Sequence, residues 1–260
     1  MNTATATAHP QSRVSAQSGV NPLIAQKYFS WRLCTWAAPV FLAGFIIFWA
    51  ILGFNLPPID PGMSLSDLHA HYVDNNLRIR VAMVFSVFFG PFYFVFSAVV
   101  SRIMQKIEGG EGPLPVVEQM GGAITTVVIL VGCICWLTAA HRIDQRTPEM
   151  IRQLHDFGWL FFDTTYMATS LQMLATAIVI LGDKRSEPLL PRWLAWYSIF
   201  TAAVFIPDTL LPFFFTGPFA WNGLINYWLG FNAYFLWIVL FCIYIFKAIT
   251  RLEIEESAAA

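Results

Sequence analysis

The sequence predicts an all-α membrane bundle of six transmembrane helices, with both termini cytoplasmic. Three observations predict it. Hydrophobic residues make up 57% of the 260 and charged ones 12%. Soluble domains run at about 45–50% apolar and about 25% charged, so a water-soluble fold would have too few charges to cover this apolar surface. Six runs reach the ~20 mostly apolar residues that cross a bilayer. Lysine and arginine also fall unevenly on the connecting loops.

Residues 1–30, rich in Ala, Ser, Thr and Gln with no apolar core, read as a disordered polar tail and not as a secretory leader. The membrane domain follows over 31–250. Its spans are expected at about 33–54, 81–100, 120–140, 157–181, 193–215 and 223–246, with a short tail at 251–260. Backbone groups in lipid must be satisfied within the segment, so the spans are helices. Ten basic residues, among them Arg102, Lys106, Lys184, Arg185 and Arg192, fall on the terminal side. Five, Arg78, Arg80, Arg142, Arg146 and Arg152, fall on the other. That bias places both termini inside the cell membrane. Most of the tryptophans fall near span ends, as an interfacial belt would. The net charge of −1 gives no sign of a nucleic-acid partner. The four cysteines have no metal-type spacing and read as buried small hydrophobes.

The most polar stretch, SLSDLHAHYVDNNLRIR (64–80), lies between the first two spans. Ser64 with Asp67 three residues on resembles a capping box. Leu65, Leu68 and Tyr72 recur at helical spacing, so a short amphipathic helix lying on the membrane is expected. Asp67 and His71 share a face, whereas His69 and His71 diverge. With the loop AAHRIDQRTPEMIRQLHDFGW, His69, His71, His141 and His155 gather on one membrane face. They have the donor type for a divalent metal, but no ligand motif, and no cofactor is firmly implied.

Asp163 and Asp208 stand inside apolar spans, each six or seven residues from the far end. At 1.5 Å per residue both are expected ~10 Å below the same surface. An ionised Asp at the centre of a span costs on the order of 2.5–3.5 kcal/mol, so such residues usually face a bundle interior or a wet cavity. Asp156, Asp163, Tyr166 and Ser170 form a polar stripe, and Asn232 enters at comparable depth. Pro207 and Pro212 free backbone carbonyls beside Asp208. Asp163, Asp208, Tyr166, Asn232, His155 and Asp156 are therefore the expected lining of an outward-opening pocket.

The stretch LPRWLAW (190–196) opens the fifth span. With the six-span layout, it resembles a group of uncharacterised bacterial six-span integral membrane proteins whose fifth helix often begins Leu-Pro-Arg-Trp-Leu-x-Trp. That group implies the architecture and no activity. The residues themselves suggest binding or transport of a small hydrophobic molecule, coupled to protonation of the buried carboxylates. Two alternatives stand beside it. One is a membrane enzyme doing acid–base or metal-assisted chemistry on a lipid-soluble substrate. The other is an accessory subunit whose polar rim docks a membrane complex. The expected partners are the lipid bilayer, a small-molecule ligand, and a second copy or neighbouring subunit.

Overall fold

The structure is a computed structural model that describes residues 22–110 and 112–259. Among the described residues there is no strand. Six helices are long and apolar enough to cross a membrane: Leu23–Leu52, Asn76–Glu108, Leu114–Ala140, Pro148–Leu181, Arg192–Phe213 and Leu224–Ala259. Their outward faces carry a girdle of exposed apolar side chains, including Ile47, Val84, Phe88, Ile124, Leu171, Ile178, Phe200 and Leu236. A surface of that kind is suited to lipid and not to water. The chain fits an integral, multi-pass membrane protein.

The helices run longer than the apolar runs alone suggest. Residues 1–21 of the expected tail lie outside the described residues, but the first helix already begins at Pro22. The last helix continues to Ala259, through the expected tail from 251. The two ends hold each other. Lys27 pairs with Glu256 at 2.5 Å and Arg32 with Glu253 at 2.6 Å. The Tyr28 hydroxyl donates to Glu256 at 2.6 Å. Polar side chains extend both helices beyond the apolar stretch because each supplies the other's counter-charge.

Five of the six spans are irregular, and each break has a local cause. The first turns from α to π geometry at Phe45. The second breaks at Gly90–Pro91, where proline offers no N–H to the preceding turn. The fourth ends one α segment at Thr164 and restarts at Met167. The fifth tightens to a 3-10 helix over Ile206–Phe213, which contains Pro207 and Pro212. The sixth opens as a π helix, Leu224–Leu229, before becoming α at Gly230. Only the third, Leu114–Ala140, is regular throughout.

Between the first two spans, a cap helix runs over Leu65–Asp74. Ser64 Oγ accepts from the Asp67 amide at 3.1 Å and donates to the Asp67 carboxylate at 2.6 Å, the expected N-cap. The cap helix buries Leu68 and Tyr72 against the start of the fourth span, so it folds over the bundle. Arg78 donates to the carbonyls of Ile51 at 2.8 Å and Leu52 at 3.2 Å. It thus satisfies orphan acceptors at the end of the first span, and its guanidinium lies 3.9 Å over the Phe54 ring. The proline-rich strap before the cap helix is pinned at two points: Trp221 Nε1 donates to Ile59 O at 2.7 Å, and Tyr227 donates to Asn55 O.

Candidate functional site

Four of the five breaks converge. Phe45 stands where the first span changes geometry, Asp163 and Tyr166 flank the break in the fourth, and Phe205 and Asp208 flank that in the fifth. Phe231, Tyr234 and Phe235 come just after the change in the sixth. Together with Thr125, Val128 and Ile129 of the regular third span they line one cavity. Irregular backbone is tolerated at membrane depth where it is buried in protein or faces a cavity. The cavity measures about 50 Å³, room for a few water-sized groups.

Asp163 and Asp208 are 7% and 4% exposed, and both face the same cavity. Among the described residues no basic side chain pairs with either, and no side chain donates a hydrogen bond to them. The arginines nearest in sequence depth are used elsewhere: Arg78 caps the first span, and Arg80 and Arg142 are exposed. The remaining polar groups of the wall are Thr125 and Thr169, whose hydroxyls lie 2.8 Å apart, and Tyr234, a buried ring packed against Tyr93 at 5.7 Å. Tyr166 reaches the bundle surface, where its hydroxyl lies 2.7 Å from that of Thr209.

Of the six residues expected to line a pocket, three do: Asp163, Asp208 and Tyr166. Asn232 is exposed and donates to the Trp228 carbonyl at 2.6 Å. Depth alone placed Asn232 level with the carboxylates, and depth does not fix which way a side chain faces. His155 and Asp156 lie nearer the cap helix and do not touch the cavity. His155 Nδ1 sits 2.9 Å from the Tyr72 hydroxyl. The depth also differs from ~10 Å: the fourth span begins at Pro148, which puts Asp163 near the middle of its 34 residues.

The cavity does not open toward the histidine-bearing face. One turn beyond its lining lies a buried aromatic layer of Trp49, Trp136, Trp159, Trp221 and Tyr227. Trp49 stacks on Phe162 at 5.6 Å, Trp136 meets Trp159 at 5.1 Å, and Trp159 stacks on Trp221 at 5.9 Å. Trp49, Trp159 and Trp221 are core residues and not interfacial anchors. Trp36, Trp193, Trp196 and Trp228 are exposed, as a belt requires.

The four histidines do not form one cluster. His141 is exposed in a separate groove with Leu77 and Arg80. His71 packs edge-on against Phe54 at 4.8 Å, and burial with the nearby Arg78 charge holds its imidazole below the usual range. Burial pushes the Tyr72 phenol up. Among the described residues no three His, Cys, Asp or Glu side chains are grouped as metal ligands.

One carboxylate has no place among the residues expected from the sequence. Glu118, fully buried, accepts from Ser97 at 3.0 Å and from Gln172 Nε2 at 2.9 Å, and Gln172 Oε1 accepts from Tyr93 at 2.9 Å. This lock lies on the terminal side of the cavity. Gly121 and Gly122 make it close: a Cβ at Gly122 would meet Ser97 Oγ at 2.1 Å, and one at Gly121 would meet the Gln172 Cβ at 2.7 Å. The signal that could have found Glu118 is proline at the first turn, here Pro115, which starts the third helix ahead of the apolar run at Met120.

Comparison with known proteins gives no match, whether with a family model, a curated protein or a solved structure.

Proposed function

We propose that this membrane protein takes a small, largely apolar molecule into the Asp163–Asp208 cavity and neutralises carboxylate charge as it does so, as a carrier or receptor would. The observation that carries this reading is two buried carboxylates on one apolar-walled cavity, with no basic side chain paired to either among the described residues. Structural carboxylates in a membrane pair with a cation or with donors; Glu118 holds two donors on Oε1, and this pair has no side-chain donor among the described residues. Two negative charges confined together in a low-dielectric site repel. Uptake of a proton or of a positively charged ligand relieves that repulsion. The convergence of broken spans supports the same reading, since discontinuous helices commonly build transport sites.

Infrared difference spectroscopy across a pH range tests it. The C=O band of protonated carboxyls should change with pH in the parent protein, weaken in Asp163→Asn and Asp208→Asn, and lose its cavity contribution in the double variant. Each single variant should keep its folded yield, because the neutral amide strands no partner in the bundle. A pH-insensitive band, or unfolding of both single variants, would show that the carboxylates are structural.

A further inference from the structure

We infer that the cavity is reached sideways from the bilayer, between the fourth and fifth spans, through a seam latched by the Tyr166–Thr209 hydrogen bond, and that its ligand is a membrane-dissolved organic amine. This rests on the proposed function above and adds the route and the ligand class.

The route is set by the closure of each side. Toward the histidine-bearing face, the aromatic layer lies directly over the cavity. Above it, the strap and cap helix are fastened by Trp221 to Ile59, Tyr227 to Asn55, Arg152 to Met63 and Tyr72 to His155. Toward the terminal face, Glu118, Gln172, Ser97 and Tyr93 interlock around glycine contacts with no space for a side chain. Below the break, the fourth and fifth spans also pack tightly, with Ser170 donating to the Ala202 carbonyl at 3.2 Å. Above it the packing between Pro148–Thr164 and Ile206–Phe213 is thinner, and an exposed hydroxyl pair 2.7 Å apart bridges them. Tyr166 is both a wall of the cavity and a partner in that bridge, and Thr209 adjoins Asp208. The latch therefore stands between the carboxylates and the lipid-facing surface. One turn beyond Thr209, Phe213, Phe214 and Phe215 are all exposed, at 75%, 41% and 67%. Three consecutive exposed aromatics beside the seam would sit in lipid.

The ligand class is set by the walls. Phe45, Phe162, Phe205, Phe231, Phe235 and Tyr234 present aromatic surface around two carboxylates. Ring faces attract cations, and an ammonium would supply the donors that Asp163 and Asp208 lack. An acid would add to the repulsion, and a neutral molecule would leave it in place. The small closed volume suits the amine head. Its apolar body would then extend toward the seam.

The test uses the full chain in liposomes with fluorescent 1-naphthylmethylamine, and 1-naphthalenemethanol as the neutral control. Equilibrium titration should show saturable binding of the amine at least tenfold tighter than the alcohol, lost in Asp163→Asn. Stopped-flow rates then read the route. Thr209→Val breaks the latch and should speed association and release about fivefold each, the value of one hydrogen bond near 1 kcal/mol at 1.36 kcal/mol per tenfold, with the dissociation constant unchanged. Thr209→Trp should slow both more than tenfold. Trp221→Ala, which thins the far-face layer, should leave the rates as they are. Equal binding of amine and alcohol would overturn the ligand class. Rates that ignore Thr209 or respond to Trp221 would overturn the route. Loss of the pH-dependent carboxyl band would overturn the underlying function instead.

Discussion

Glu118 and the Asp163–Asp208 pair show how differently a buried carboxylate can be housed. Glu118→Ala would strand the Gln172 amide and the Ser97 hydroxyl in a buried site. It should cost about 1–3 kcal/mol in a thermal melt, while Glu118→Gln, which still offers Oε1, should cost less. The Asp residues were legible because a charge inside an apolar run is conspicuous at any register. Glu118 was not, because it stands just before a run that looks complete without it, and only the helix-start proline brings it inside. His71 carries a pH prediction. Its folded imidazole binds protons less readily than the unfolded one, owing to burial and then Arg78, with Asp74 opposing. The unfolded state therefore gains protons first as pH falls through about 6.5, and stability is lost on acidification below that value. Melting curves from neutral to mildly acidic pH should shift down, and His71→Gln should flatten the shift.

At the level of elements, the length of the apolar runs located all six spans but could not locate their breaks. Gly90–Pro91 and Pro207 announce themselves. The π turns at Phe45–Leu52 and Leu224–Leu229 do not, since nothing in those residue types forbids an α helix there. Asn232 was expected from its depth, which does not fix its facing, and Phe231, Tyr234 and Phe235 stand at the cavity just after the second of these turns. The cap helix was legible from Ser64 and Asp67, but its docking was not, because the partner of Tyr72 lies 83 positions away at His155. The glycine contacts give an element-scale prediction. Gly121→Ala places a methyl 2.9 Å from the Ala168 carbonyl, backbone that cannot rotate aside. The third and fourth spans must then part, at about 1–3 kcal/mol. A thermal melt should show the loss, and the Glu118–Gln172 lock should loosen with it.

Across the whole molecule, composition alone separated membrane from water, and alternation of loops placed the termini together. The clasp between the first and last helices comes from neither, because Lys27 and Glu256 meet only when the bundle closes. Lys27→Met should lower stability by no more than about 1 kcal/mol, as exposed pairs do, and the difference should shrink at high salt. The unpaired carboxylates have a consequence during synthesis. The fourth and fifth spans, which carry Asp163 and Asp208, are the least apolar of the six. They are therefore the least able to partition into lipid one at a time. The fourth leaves the ribosome before the fifth exists, with Asp163 facing an incomplete wall. Its stable insertion would have to lean on the three helices already made, through Gly121, Gly122 and the Glu118–Gln172 contact. Nascent chains halted after the fourth span should then cross the membrane less completely when leucine replaces Gln172 and removes that contact, even though leucine is the more apolar residue.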